Sequence, residues 1–235
     1  ITVPKSGTLE ISGDGNYGIK VSTGMTVYGE LTLKNLTLDF SLTDERAGER
    51  IFVEGGKLNL KNVTIIGSKH TGSPIMVHNG TLNMTRTSAV KGAERSYAVE
   101  LKNKSKATLQ HCDIDGFVMT DSDIMLYDVK VRHGAFVKEN SSMVSDLVTY
   151  DFYQADDPRN LYVSDSKVIL NDIKVIGDKQ DNPIRLFNSE LEMKLSKITD
   201  LRPNGFGIEL NSSTATIEHS EVRGIFLKQS ELTVP

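Results

Sequence analysis

The sequence predicts an all-β chain folded as a parallel β-helix, a single-domain β-solenoid of about ten coils with three short strands each. Three observations predict it. A motif of two alternating apolar pairs around a polar corner recurs along the chain, its copies lie 17 to 27 residues apart, and no 3.6-residue apolar period appears between them. The clearest copy is GGKLNLKNVTIIG at Gly55–Gly67, with Leu58/Leu60 and Val63/Ile65 as the pairs and Lys61-Asn62 between them. The outline returns as ELTLKNLTL (Glu30–Leu38), ATLQHCDIDG (Ala107–Gly116), KVILNDIKVIG (Lys167–Gly177) and ATIEHSEVRG (Ala215–Gly224).

The residue closing the first pair falls at Ile11, Leu33, Leu60, Met84, Leu109, Leu126, Met143, Leu170, Met193 and Ile217, and Val234 begins a further copy. A constant motif at variable spacing means fixed strands and variable loops. Each copy also carries a third alternating stretch: Gly18–Val21, Ile51–Glu54, Ile75–His78, Val99–Lys102, Phe117–Thr120, Ala135–Lys138, Leu161–Ser164, Ile184–Phe187, Ile208–Asn211 and Ile225–Lys228. Equivalent strands of successive coils lie about 4.8 Å apart, so ten coils span about 45–50 Å.

The corner residues read as Asn35, Asn62, His111, Asp128, Ser145, Asp172 and His219, interrupted by Arg86 and Leu195. Asn and Asp suit a corner because they tolerate left-handed backbone angles and hydrogen-bond their own turn. The amides of Asn35 and Asn62 are expected to stack as a ladder, and His111 and His219 are read as turn residues rather than catalytic bases. Longer loops fall at Phe40–Arg50, Ser68–Pro74, Lys91–Ser96, Asp151–Asn160, Asp178–Pro183 and Asp200–Asn204, all after the second strand. In-register coils therefore gather these loops along one edge, where repeat proteins commonly build a binding face.

Bulk composition narrows the function classes. A net charge of −4 lacks the Lys/Arg excess that phosphate binding needs, so no nucleic-acid partner is expected. No apolar run approaches the roughly 20 residues of a membrane span. The one cysteine, Cys112, excludes an internal disulfide framework and is read as a buried free thiol. No zinc spacing, phosphate-binding glycine loop or nucleophile elbow appears, so neither metal nor cofactor is expected. The chain opens ITVPKSG, without a signal peptide, and closes SELTVP in mid-coil. An uncapped coil exposes core and strand edges, so residues 1–235 are expected to form one domain cut from a longer multidomain protein. An end-to-end or edge dimer is a further expectation.

Three short strands per coil, an Asn-bearing corner and insertions at one later corner resemble the right-handed parallel β-helix of the pectate-lyase-like (pectin-lyase-like) superfamily. The resemblance spans essentially the whole chain, is one of pattern, and carries the expected handedness. It implies that a sugar substrate lies along the outer face of the strand after the long loop. One outward column there reads Lys20, Phe52, Met76, Glu100, Val118, Phe136, Tyr162, Arg185, Glu209 and Phe226. The other reads Ser22, Glu54, His78, Lys102, Thr120, Lys138, Ser164, Phe187, Asn211 and Lys228. Neither contains the aspartates of an inverting hydrolase or a calcium-binding carboxylate set.

The nearest approach to chemistry is Glu54, His78, Glu100 and Lys102, where a Glu–His pair one coil apart could move a proton and Lys102 steady charge. The bland alternative is a mixed-charge solvated surface. The loop around Tyr150–Asn160 is the most distinctive stretch: Tyr150, Phe152, Tyr153, Asp156, Asp157 and Arg159, with Tyr162 beyond it, could dock a sugar or a protein. Its aromatics could equally fill space over neighbouring coils. The expected function is a non-catalytic binding and scaffold module that presents loops to a glycan or protein partner, as in a bacterial surface adhesin. The alternatives are a polysaccharide-active lyase or hydrolase with a divergent site, and an intracellular sensing or scaffold domain attached to an ATPase or other catalytic domain. A bacterial cell surface or secreted location is preferred to the cytoplasm.

Overall fold

Alternation dictates the local structure: apolar side chains two residues apart point to one face of a strand, and that face must be buried. A computed structural model describes residues 1–15, 18–41, 50–68, 72–90, 97–152, 160–177, 182–199, 201 and 205–235. Among the described residues every regular element is a β-strand, paired in parallel with its equivalents one repeat before and after, as in a β-solenoid. The chain forms two compact units, Ile1–Phe117 and Val118–Pro235. Each has three rows of strands, named here A, B and C.

In the first unit row A holds Thr2–Val3, Met25–Val27, Ile51–Glu54, Ile75–His78 and Val99–Lys102. Rows B and C merge into ten-residue strands at Glu30–Asp39 and Lys57–Ile66, and are separate strands elsewhere. Leu31, Leu33, Leu36 and Leu38 lie opposite Leu58, Leu60, Val63 and Ile65, all buried. Each such side chain contributes roughly 1.5–3 kcal/mol by leaving water. In the second unit row A holds Ala135–Lys138, Leu161–Ser164, Ile184–Phe187, Ile208–Asn211 and Ile225–Lys228. Row B there includes Asp123–Tyr127, Ser142–Asp146, Lys167–Asn171, Glu190–Lys194 and Thr214–Glu218.

The first expected third strand is misplaced. Gly18–Lys20 belongs to row C, with Ile19 opposite Leu38, and the row A strand of that repeat is Met25–Val27, opposite Ile51–Val53. The outward column therefore has Thr26 before Phe52, not Lys20, and Ser22 is no part of the face. GIKV imitates the alternation; the two-residue turn that separates Glu54 from Lys57, counted back from Glu30, would have selected Met25–Val27.

The corner between rows B and C is left-handed throughout. Asn35, Asn62, Arg86 and His111 have φ between 51° and 54°, and Asp128, Leu147, Asp172, Leu195 and His219 between 47° and 57°. The Asn62 amide donates to Asn35 Oδ1 at 3.1 Å, the ladder the sequence suggested. Ser145 is not a corner. It points inward, opposite Leu126 and Leu170, and Leu147 turns the chain. Met143 accordingly opens its pair, opposite Ile124 and Val168. The two-residue slip arises because a serine occupies a core position that is leucine in both neighbouring repeats.

A second column marks the turn between rows A and B. In the first unit it runs Gly7, Gly29, Gly56, Gly80 and Ser105; in the second it is serine at 122, 141, 166, 189, 213 and 230. Glycine is required where neighbouring backbones touch: a Cβ on Gly56 would lie 2.6 Å from the Gly29 carbonyl oxygen. Serine replaces it where the hydroxyl can bond twice. Ser166 Oγ accepts the Ser141 N–H at 3.2 Å and donates to the Ser164 carbonyl at 2.8 Å, and Ser189 and Ser213 repeat the pattern. Backbone groups that the turn leaves unpaired are thereby satisfied.

Candidate functional site

The outer face of row A was the expected groove, and register decides what meets there. In the first unit Glu54, His78 and Lys102 occupy one column, and Phe52, Met76 and Glu100 the other. His78 Nδ1 lies 3.7 Å from Glu54 Oε2, and its ring meets Phe52 edge to face at 5.0 Å. Lys102 Nζ is 2.5 Å from Glu100 Oε1 on the same strand. The four residues thus separate into two pairs, one across strands and one within a strand. A general base must reach the proton it removes. With Nδ1 turned to Glu54 and Nε2 buried without a hydrogen-bond partner, His78 does not offer a nitrogen to the face.

On the same face of the second unit the columns are Phe136, Tyr162, Arg185, Glu209, Phe226 and Lys138, Ser164, Phe187, Asn211, Lys228. The rings form a stack. Phe136 and Tyr162 are 5.8 Å apart at 26°, Tyr162 and Phe187 5.2 Å apart at 28°. The Lys138 ammonium lies 5.3 Å from the Phe136 ring and 5.8 Å from Tyr162. Tyr162 therefore stacks on a ring of the strand before it and a ring of the strand after it. Beyond it Glu209 takes Arg185 Nε at 3.3 Å, the Asn182 amide at 2.9 Å and the Asn211 amide at 2.9 Å. The Arg185 contact is ionic rather than an aligned hydrogen bond.

Of the loop residues singled out, Tyr153, Asp156, Asp157 and Arg159 lie outside the described residues. Tyr150 and Phe152 are fully buried with rings 6.1 Å apart, so neither presents surface to a ligand; they fill the interior. The Tyr150 hydroxyl shares a hydrogen bond of 2.7 Å with Ser145 Oγ, and burial pushes the phenol far above its usual titration range against the opposing pull of that bond. Cys112 is a buried free thiol whose Sγ contacts the Gln110 carbonyl at 3.2 Å. Thr87, Ser196 and Ser220 place a hydroxyl in the same way after their own corners.

The ring stack was missed as a unit, although the columns that contain it were legible. The missing step was to compare chemistry along a column rather than residue by residue. Among the described residues no group of three or more His, Cys, Asp or Glu could hold a metal ion, and no helix is long and apolar enough to cross a membrane. No family model, curated protein or solved structure matches the chain.

Proposed function

We propose that the chain is a non-catalytic binding and scaffold module, a right-handed parallel β-helix of about ten coils that holds out loops along one edge to a glycan or protein partner. The observation that carries this reading is where the long segments are rooted. In the first unit the chain leaves row C at Phe40, Ser68 and Val90 and returns to row A at Ile51, Ile75 and Val99. In the second it leaves at Phe152, Gly177 and Thr199 and returns at Leu161, Ile184 and Ile208. The feet are fixed in the interior by Phe40, Ser68, Ser73, Phe152 and Asn160, all buried. A rigid base with variable segments at one corner is the arrangement of a recognition edge.

The test replaces residues 153–159 with a glycine-serine linker of equal length and measures glycan-array binding and pull-down of protein partners. Loss of a binding activity with an unchanged β-sheet circular dichroism spectrum supports the reading. Binding that survives replacement of every long loop overturns it. The alternative, a polysaccharide-active enzyme, would have to work through the Glu54–His78 pair although neither ring nitrogen of His78 is offered to the face. Turnover of a uronic-acid or neutral polysaccharide that disappears in Glu54→Gln and His78→Ala would favour it over the binding module.

A further inference from the structure

The outer face of row B in the second unit carries a feature that the loop edge does not explain. Its central outward column begins Met125, Val144 and Ile169 on three successive coils. Met125 is 53% exposed, and it is flanked by Tyr127 at 40% and the corner residue Leu147 at 43%. The equivalent column of the first unit is polar: the Asn83 amide donates to Asn59 at 2.9 Å and the Asn59 amide to Thr32 at 3.2 Å. A solvated solenoid face therefore has a polar solution in this same chain, and the second unit departs from it over three coils. Leu147, with φ 57°, takes the left-handed conformation that Asp128 and Asp172 take at the same corner of the adjoining repeats. Met125 stands exposed and Val144 and Ile169 beside it are half-buried, and contiguous apolar surface left partly in water marks an interaction site.

Charge identifies the occupant. Asp123 and Asp146 stand in the columns on either side of the apolar run. Lys167, which shares a flanking column with Asp123, is held by Glu190 and Glu192 at 3.0 and 2.8 Å, and Lys130 by Asp151 at 2.8 Å. An apolar stripe with an acidic border fits a partner that is apolar in the middle and basic at its margins. Spacing favours a helix over a strand. Coils repeat about every 4.8 Å, close to the roughly 5.4 Å pitch of an α-helix. Same-face residues of a strand instead repeat at roughly 6.6 Å.

We propose that Met125, Val144 and Ile169, bordered by Asp123 and Asp146, form a docking surface for a basic amphipathic helix of a partner protein, laid along the stack of coils. This surface lies on a different row from the loop edge and does not depend on it.

The experiment uses the whole chain and a fluorescent 15-residue peptide, leucine at i, i+3, i+7 and i+10 and lysine on its flanks, with polarisation as the readout. Saturable binding that weakens with added salt is expected. Affinity should fall at least tenfold in Met125→Gln/Ile169→Thr and several-fold in Asp123→Asn/Asp146→Asn, and be unchanged in the control Thr32→Val on the first unit. The isosteric aspartate pair keeps the test decisive if the apolar pair disturbs folding. Absence of saturable binding, equal binding of a glutamate-flanked peptide, or binding indifferent to both double variants would overturn the proposal. Self-association of the chain abolished by Met125→Gln/Ile169→Thr would assign the surface to a second copy and overturn it as well.

Discussion

Ser145 and Tyr150 offer the sharpest test of how this core is assembled. Ser145 occupies a position that is Leu126 and Leu170 in the adjoining repeats, and Tyr150 one that is Val131 and Val175. Serine gives up volume that tyrosine takes up, and the hydroxyls that this exchange buries bond each other at 2.7 Å, with Met143 Sδ 3.6 Å from the phenol. Removing one partner strands the other, at a cost of about 1–3 kcal/mol for a buried unpaired hydroxyl. Ser145→Ala and Tyr150→Phe should therefore each destabilise by about that amount. The double variant removes both polar groups, and its loss should fall short of the sum by about 1–2 kcal/mol. A volume arm asks the same question of shape. Ser145→Leu overpacks by about 1–3 kcal/mol, Tyr150→Val leaves a cavity costing about 3 kcal/mol or more, and the pair together restores the repeat and recovers most of the loss. Urea denaturation followed by circular dichroism measures each variant, with an unchanged m value as the condition for comparison. Strict additivity in both arms would refute the coupling.

Burial raises the Cys112 thiol above its ordinary value. The unfolded thiol then ionises first, so stability present below about pH 8.5 declines as pH rises from there toward the folded value. Cys112→Ser keeps the hydrogen bond that Ser196 and Ser220 make after their corners and should flatten this decline between pH 7 and 9.5 in urea midpoints; an unaltered slope would contradict it. Gly56→Ala drives a Cβ against the Gly29 carbonyl and should destabilise by about 1–3 kcal/mol, whereas Ser166→Ala, which costs the Ser141 N–H its acceptor, should lose about 1 kcal/mol; the reverse order in urea midpoints would refute the account of the column. Tyr162→Ala breaks two ring contacts worth about 0.5–1.5 kcal/mol each beyond area burial and should lower thermal stability more than Lys138→Ala, a cation–π loss of about 0.5–1 kcal/mol.

The rows of strands were legible because register turns a one-dimensional period into a spatial column. Nine of the ten expected third strands, from Ile51–Glu54 to Ile225–Lys228, occupy those residues. The failures share a cause. GIKV carries the right alternation at the wrong distance from the next turn, and Ser145 is polar at a position whose neighbours are leucine, so a rule based on hydrophobicity slipped by two residues. Its compensation sits at Tyr150, five residues on, where it reads as a surface aromatic unless the pair is considered together. The glycine–serine column was equally visible in the sequence, but its meaning depends on how closely backbones approach, which composition does not reveal. For the candidate site, the columns named the neighbours correctly from Phe52 to Glu100 in the first unit and from Phe136 to Phe226 in the second. They did not say whether neighbouring side chains would face a ligand or each other.

That last distinction decides where recognition can occur on a solenoid. Parallel register brings side chains of adjacent repeats to about 4.8 Å, a separation at which complementary groups bind each other before they bind anything else. On row A they do so: Glu54 with His78, Tyr162 with Phe136 and with Phe187, Arg185 and two amides with Glu209. A column therefore stays available to a partner only where its members have no attraction of their own to satisfy directionally. Met125, Val144 and Ile169 are such a column, since apolar neighbours on the outside of a sheet shield one another only in part and their remaining surface is still in water. Polar ladders tie neighbouring strands together, and an apolar column interrupted by no ladder is where a second protein gains most by covering it.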